Sequence, residues 1–247
     1  KTGVEKKIPL EKKTDGEVIF SYPQKFGKYL LLLPLEYPAI VRYDTETEEV
    51  IYFTDKIDVF IKEKNGFKIT GDAIVYQENL LVASPTDNRM YKLNIESGES
   101  SVIELPIQSR CGGQVLVEYE GEIWIMPYDG QVIVRWNPKT NEVREYEGFP
   151  KGFLCKNPMD DSECTEKPFC TPAFYGKYLY LLSFWSNMSL QLNIYTGEFR
   201  EWKPSYENET EDSHLKESCI FLDYKLRDNE DDFRIYSLSK HKLYVTD

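Results

Sequence analysis

VRWNPKTNEVREY, residues 134 to 146, is the stretch that decides the fold. Val134 and Trp136 flank Arg135, the alternation of a half-buried strand. Asn137 and Pro138 then open a turn. Thr140 can cap that turn with its hydroxyl, and Asn141 tolerates the left-handed backbone of a tight hairpin. Val143 to Tyr146 read as the returning strand. A single hairpin is at best marginally stable in water, so the pattern must recur if it is to build a domain.

It does recur. VRYDTETEEVIYF (41 to 53), YKLNIESGESSVI (91 to 103) and LQLNIYTGEFREW (190 to 202) align with it. Each opens its turn with Asp44, Asn94 or Asn193. Thr47, Ser97 and Thr196 share the position of Thr140, and Glu48, Gly98 and Gly197 share that of Asn141. Glu48 is the poor fit there. Two more strands precede the hairpin in the second repeat, GDAIVYQ (71 to 77) and NLLVAS (79 to 84). In the third repeat they are QVLVEY (114 to 119) and EIWIMPY (122 to 128). Each repeat is thus four short antiparallel strands, a to d. Successive turn Asp/Asn residues lie 50, 43 and 56 residues apart. Four strands at that period are the mark of β-propeller blades.

The chain closes with KLYVTD (242 to 247), which reads as a strand c. It opens with KTGVEKKIPL (1 to 10), a turn followed by a strand. Joined, the ends reproduce the repeat, and residues 4 to 10 become the strand d that KLYVTD needs. Pairing the termini in this way removes a sheet edge prone to aggregation. The expectation is an all-β, single-domain, five-bladed β-propeller of four-stranded antiparallel blades, the competing reading being part of a longer propeller of six or more blades. The blades fall at about 15–56, 68–107, 111–149, 169–204, and 218–247 plus 1–10, with an inserted loop at 151–168.

Composition narrows the function classes. The 247 residues carry a formal charge of −12. Nucleic-acid binding is not expected, because phosphates require clustered Lys and Arg. Membrane insertion is not expected either: YLLLLPL (29 to 35) is far short of the roughly 20 apolar residues of a spanning helix. Five cysteines, an odd number, fit a secreted disulfide framework poorly and lean toward the cytoplasm.

One blade carries a family resemblance. GEIWIMPYDGQVIVRWNPKTNEVREYEGFPKG, residues 121 to 152, resembles the blade motif of virginiamycin B lyase and its relatives. The shared features are Trp124 on strand b, Arg135-Trp136-Asn137-Pro138-Lys139-Thr140 at the c–d turn, and the closing Glu145-Tyr146…Pro150-Lys151-Gly152. The resemblance implies propeller architecture. It also implies a metal-dependent eliminating activity using His and Glu in a central funnel of seven blades. Neither His214 nor His241 lies in such a motif, so no catalytic residue carries over.

The candidate site is the face formed by the d–a and b–c loops, an analogy at the level of fold. Arg110, Asp72, Tyr128, Asp129, Phe184, Trp185, His214 and His241 fall on it as ligand-binding candidates. Tyr37 lies beside another b–c loop. Adjacent Phe184 and Trp185 cannot both enter one core face, and exposed aromatics anchor protein or sugar partners. Arg110 could clamp a carboxylate or phosphate, or pair with Asp72 or Glu104. Cys111, Cys170 and Cys219 share one blade position. They suit zinc or iron, or simply fill buried space as small thiols. Cys155 and Cys164 could close one disulfide, or remain loop thiols. No cofactor is expected, with zinc or iron as the alternative. The preferred function is non-catalytic binding of a protein, peptide or glycan. The alternative is a metal-assisted lyase or glycan hydrolase in the same funnel.

Overall fold

A computed structural model describes residues 8–11, 20, 23–34, 37–54, 61–64, 67–70, 72–84, 87–109, 113–127, 132–155, 168–169, 172–203, 205–206, 224–229, 232–237 and 242–244. The described residues are all-β, in antiparallel sheets, with no helix. The first sheet runs β1 (Gln24–Phe26), β2 (Tyr29–Leu32), β3 (Ile40–Asp44), β4 (Val50–Phe53) in spatial order. A separate hairpin follows, β5 (Ile61–Lys64) with β6 (Phe67–Thr70). The second sheet holds β7 (Ala73–Tyr76), β8 (Asn79–Ala83), β9 (Arg89–Asn94) and β10 (Ser100–Glu104). The third holds β11 (Gly113–Tyr119), β12 (Glu122–Pro127), β13 (Ile133–Trp136) and β14 (Val143–Tyr146). The fourth holds β15 (Ala173–Tyr175), β16 (Tyr178–Leu181), β17 (Ser189–Asn193) and β18 (Phe199–Trp202). These four sheets are the repeats read from the sequence.

The last sheet departs from that pattern. Its order is β19 (Ser205–Tyr206), β22 (Lys242–Tyr244), β21 (Asp232–Ser237), β20 (Tyr224–Asn229). Strands a, b and c are thus β20, β21 and β22. The outer position is held by β19, with Ser205 opposite Tyr244 and Tyr206 opposite Leu243. The sequence reading assigned that edge to residues 4–10, of which 4–7 lie outside the described residues. An open strand edge offers unpaired backbone groups to any segment within reach, and Ser205–Tyr206 take them here. The β5–β6 hairpin was not anticipated, although Asn65-Gly66 between its strands is a strong hairpin signal.

The turns form as the residues demand. Asp44 Oδ1 accepts the amides of Glu46 and Thr47 at 2.9 and 3.0 Å. Asn94, Asn137 and Asn193 repeat the pair of bonds in their own turns. Four residues into each turn the backbone turns left-handed, at Glu48 (φ 67°), Gly98 (75°), Asn141 (60°) and Gly197 (81°). Asn141 Oδ1 also accepts the Trp136 indole N–H at 3.0 Å.

The chain divides into two compact units, Lys1–Val82 with Met90–Ile103, and Ala83–Arg89 with Glu104–Asp247. The first unit has a core of Leu31, Leu33, Ile40, Leu80, Tyr91 and Leu93. Within it, the Arg42 guanidinium donates from β3 to the carbonyls of Ile95 and Glu96 in the second sheet's turn. Its faces lie against the rings of Tyr29 (4.7 Å) and Phe53 (5.7 Å). The second unit has its own core around Trp124, Phe169, Leu179, Leu181, Leu190 and Leu192. There, Arg144 on β14 reaches the fourth sheet's turn, donating to Tyr195 O at 2.9 Å and Ile194 O at 3.4 Å. The Tyr146 hydroxyl donates to Ile194 O at 2.8 Å. A cation and a ring from one sheet thus seat the c–d turn of the next.

Candidate functional site

The best-defined part of the candidate face is the b–c loop of the fourth sheet, residues 183–188. Main-chain pairing starts it: Phe169 and Ser183 form a β-bridge, and Phe184 N donates to Pro168 O at 2.8 Å. Ser186 Oγ donates to the same carbonyl at 2.9 Å. Asn187 then locks the loop to residues 152–154. Its Oδ1 accepts Leu154 N (2.8 Å), its Nδ2 donates to Gly152 O (2.8 Å), and its amide donates to Leu154 O (3.0 Å). Below this junction Phe149, Phe153, Phe169 and Phe199 pack edge-to-face or tilted at 4.8 to 6.0 Å. The loop is therefore a platform fixed on both sides. On it stand Phe184 and Trp185, T-shaped at 5.6 Å, both half-buried. Leu154, bonded to the loop through Asn187, is 52% exposed.

A second junction prepares the entry to the third sheet. Asn88 Nδ2 donates to Ser109 O (3.0 Å) and Ile107 O (3.4 Å). The Glu145 carboxylate accepts the amides of Gln108 (2.7 Å) and Ser109 (3.0 Å). The Ser109 hydroxyl donates to Glu147 at 2.5 Å. Arg89 pairs with Asp87 at 2.6 Å. Burial of the Asp87 carboxyl raises its pKa, but hydrogen bonds from Arg89 and Ser84 outweigh this and hold it below the usual carboxylate range. Asn88 and Asn187 stand at the same repeat position, three residues ahead of the aligned Tyr91 and Leu190. Neither was picked out in the sequence, yet extending the repeat alignment three residues upstream would have found both.

The structure brings together only part of the candidate set. Phe184 and Trp185 meet. Asp72 is half-buried immediately ahead of β7. Tyr37 is a correction: at 1% exposure it packs against Phe20 (4.9 Å) and Tyr52 (6.3 Å) and belongs to the core. Arg110, Tyr128, Asp129, His214 and His241 lie outside the described residues, as do Cys111, Cys170, Cys219 and Cys164. Cys155 is half-buried at the edge of the fixed loop junction. Among the described residues no three His, Cys, Asp or Glu gather closely enough to hold a metal ion, and no helix is long and apolar enough to cross a membrane.

Comparisons with known proteins agree with this architecture. No family model matches the chain, and no curated protein matches it in sequence. Solved structures do match. A streptogramin B lyase structure is 14% identical with a TM-score of 0.51, covering 92% of this chain and 70% of that one. Virginiamycin B lyase from Staphylococcus aureus is 12% identical with a TM-score of 0.52, covering 93% and 71%. The extracellular domain of a proposed one-component system from B. thetaiotaomicron is 14% identical with a TM-score of 0.53, covering 95% of this chain and 28% of that one. The chain therefore has a β-propeller-type fold that resembles virginiamycin B lyase. At these identities the likeness is one of fold.

Proposed function

We propose that this chain is a non-catalytic binding propeller that recognises a protein, peptide or glycan through its b–c and d–a loops. The observation that carries this reading is the fixed aromatic platform. A binding site gains affinity when its anchors are ordered before the ligand arrives. Phe184 and Trp185 are set in place by hydrogen bonds from Asn187, Ser186 and the main chain to residues 152–154 and 168. Rigid aromatic rings of this kind serve as hot spots for protein and sugar partners. The same fold serves a lyase and the extracellular domain of a one-component system among the solved structures, so the loops, not the fold, distinguish binding from catalysis.

The architecture that goes with this reading is a single domain of five blades. Among the described residues, five four-stranded sheets occur along the chain, with the β5–β6 hairpin between the first two. Glu11 N donates to the Tyr52 hydroxyl on β4 (2.9 Å), much as Gln108 and Ser109 donate to Glu145, the matching position on β14. That parallel supports residues 4–10 as the exit strand of a preceding blade.

The test is binding to a glycan array and a random peptide display library. W185A and F184A should lose at least about tenfold of any affinity the unaltered protein shows, with thermal stability unchanged. Binding that ignores both substitutions, or turnover of a bound glycan, would sink the reading.

A further inference from the structure

The loop that carries Phe184 and Trp185 turns its polar side chains inward. Ser186, 9% exposed, donates from Oγ to Pro168 O at 2.9 Å and lies 3.2 Å from Met188 O. Asn187 spends both ends of its amide on residues 152–154. Ser189, 6% exposed, accepts the Ser183 amide on its Oγ at 2.9 Å. Among the described residues, this leaves the Ser183 hydroxyl and the Trp185 indole N–H as the side-chain polar groups of the loop without a bond. The two rings stand at 80° to each other with centroids 5.6 Å apart. They make a corner, one ring's face against the other's edge, and not a flat stacking surface.

We propose that the ligand of this loop is a protein segment that sets an apolar side chain, flanked by Lys or Arg, against the Phe184–Trp185 corner. The inference rests on the reading of the b–c and d–a loops as a binding face, and narrows the ligand from protein, peptide or glycan to a cationic protein segment. Three arguments favour this occupant. A corner of two rings touches an aliphatic or aromatic side chain on two sides, and such anchors carry most of the energy of a protein interface. A sugar carries a hydroxyl on most of its carbons, and each one covered without a partner forfeits its hydration. One serine hydroxyl and one indole N–H are too few to meet them. The third argument is charge. The chain's formal −12 attracts a segment bearing Lys or Arg and repels an acidic peptide or an acidic glycan alike.

The probes are a random peptide display library and a glycan array, each presented to the full chain, to W185A and to W185L. Selected peptides should share Leu, Met, Phe or Trp at one position with Lys or Arg nearby. W185A should weaken a selected peptide at least about tenfold. W185L keeps an apolar contact and should weaken it no more than about fivefold. Raising NaCl from about 0.05 to about 0.5 M should weaken it at least about threefold. A polar or acidic consensus, or binding indifferent to salt, overturns the inference. Glycan binding that both W185A and W185L abolish leaves the binding face standing and overturns this choice of ligand. If neither library binds through Trp185, the binding reading itself fails and this inference with it. Should W185A fail to fold, F184A takes its place.

Discussion

The first-to-second and third-to-fourth sheet junctions solve one problem with different residues. In both, two carbonyls just past the turn Asx need donors: Ile95 and Glu96 in one, Ile194 and Tyr195 in the other. In the first junction the donor sits on the inner strand, and Arg42 is buried at 7% exposure between two rings. In the third it sits across the ladder, and Arg144 shares the work with the Tyr146 hydroxyl. Phe53, at the position of Tyr146, has no hydroxyl to offer, so Arg42 takes Ile95 O itself. The acceptors match between the two junctions while the donors differ. A repeat is held by the geometry of its turn more than by the identity of any one contact.

The comparison is easiest to break at the arginines. R42M strands two carbonyls in a buried site and should cost about 3 kcal/mol, while R144M leaves Ile194 O bonded to Tyr146 and should cost about 1 kcal/mol. Urea unfolding of the two variants measures the ratio. Equal losses would mean that burial does not distinguish the junctions. Next come the turn glycines. A Cβ on Gly98 would stand 2.8 Å from the Phe53 ring, whereas one on Gly197 meets nothing nearer than Arg144 at 3.5 Å. Both positions have positive φ, a strain of about 1 kcal/mol for Ala. G98A adds overpacking and should cost about 2–3 kcal/mol in total. G197A should stay near the strain alone, and F53L should relieve G98A only.

The smallest effect concerns pH. Asp44 differs from the other turn residues in being ionisable. A hydrogen bond from Lys28 to its second oxygen (2.9 Å), with the Thr47 and Glu46 amides on the first, holds its carboxyl far below the usual carboxylate range. A folded pKa below the unfolded one stabilises above the unfolded pKa of about 4 and fades as pH falls through the folded value. The unaltered protein should therefore lose stability relative to D44N between about pH 4 and pH 2, and the two should run parallel above about pH 5. Acid titration of Tm for both proteins would show it. Parallel curves throughout would mean that the Lys28 bond is too exposed to matter.

Much of this was legible in advance. The Asx turns, the hairpin register and the third-sheet strands follow from residues within a few positions of each other. Even the misfit held its place: Glu48 adopts the left-handed backbone its neighbours reserve for Gly and Asn. What failed was long-range. Tyr37 reads as an exposed loop aromatic, yet Phe20 and Tyr52, distant in sequence, pack against it and it joins the core. The pairing of Ser205–Tyr206 with β22 joins segments nearly forty residues apart, and no repeat phase announces it.

The sequence by itself determined an all-β chain of repeated four-stranded units, because turn chemistry and strand alternation are local and each unit states them again. Tertiary structure alone decided which aromatics stand on a fixed platform and which are core. It also decided which arginine seats which turn, and how Asn88 and Asn187 hold the loops. Those outcomes depend on carbonyls and rings brought within about 3 to 6 Å by packing between sheets, and no local pattern carries that distance.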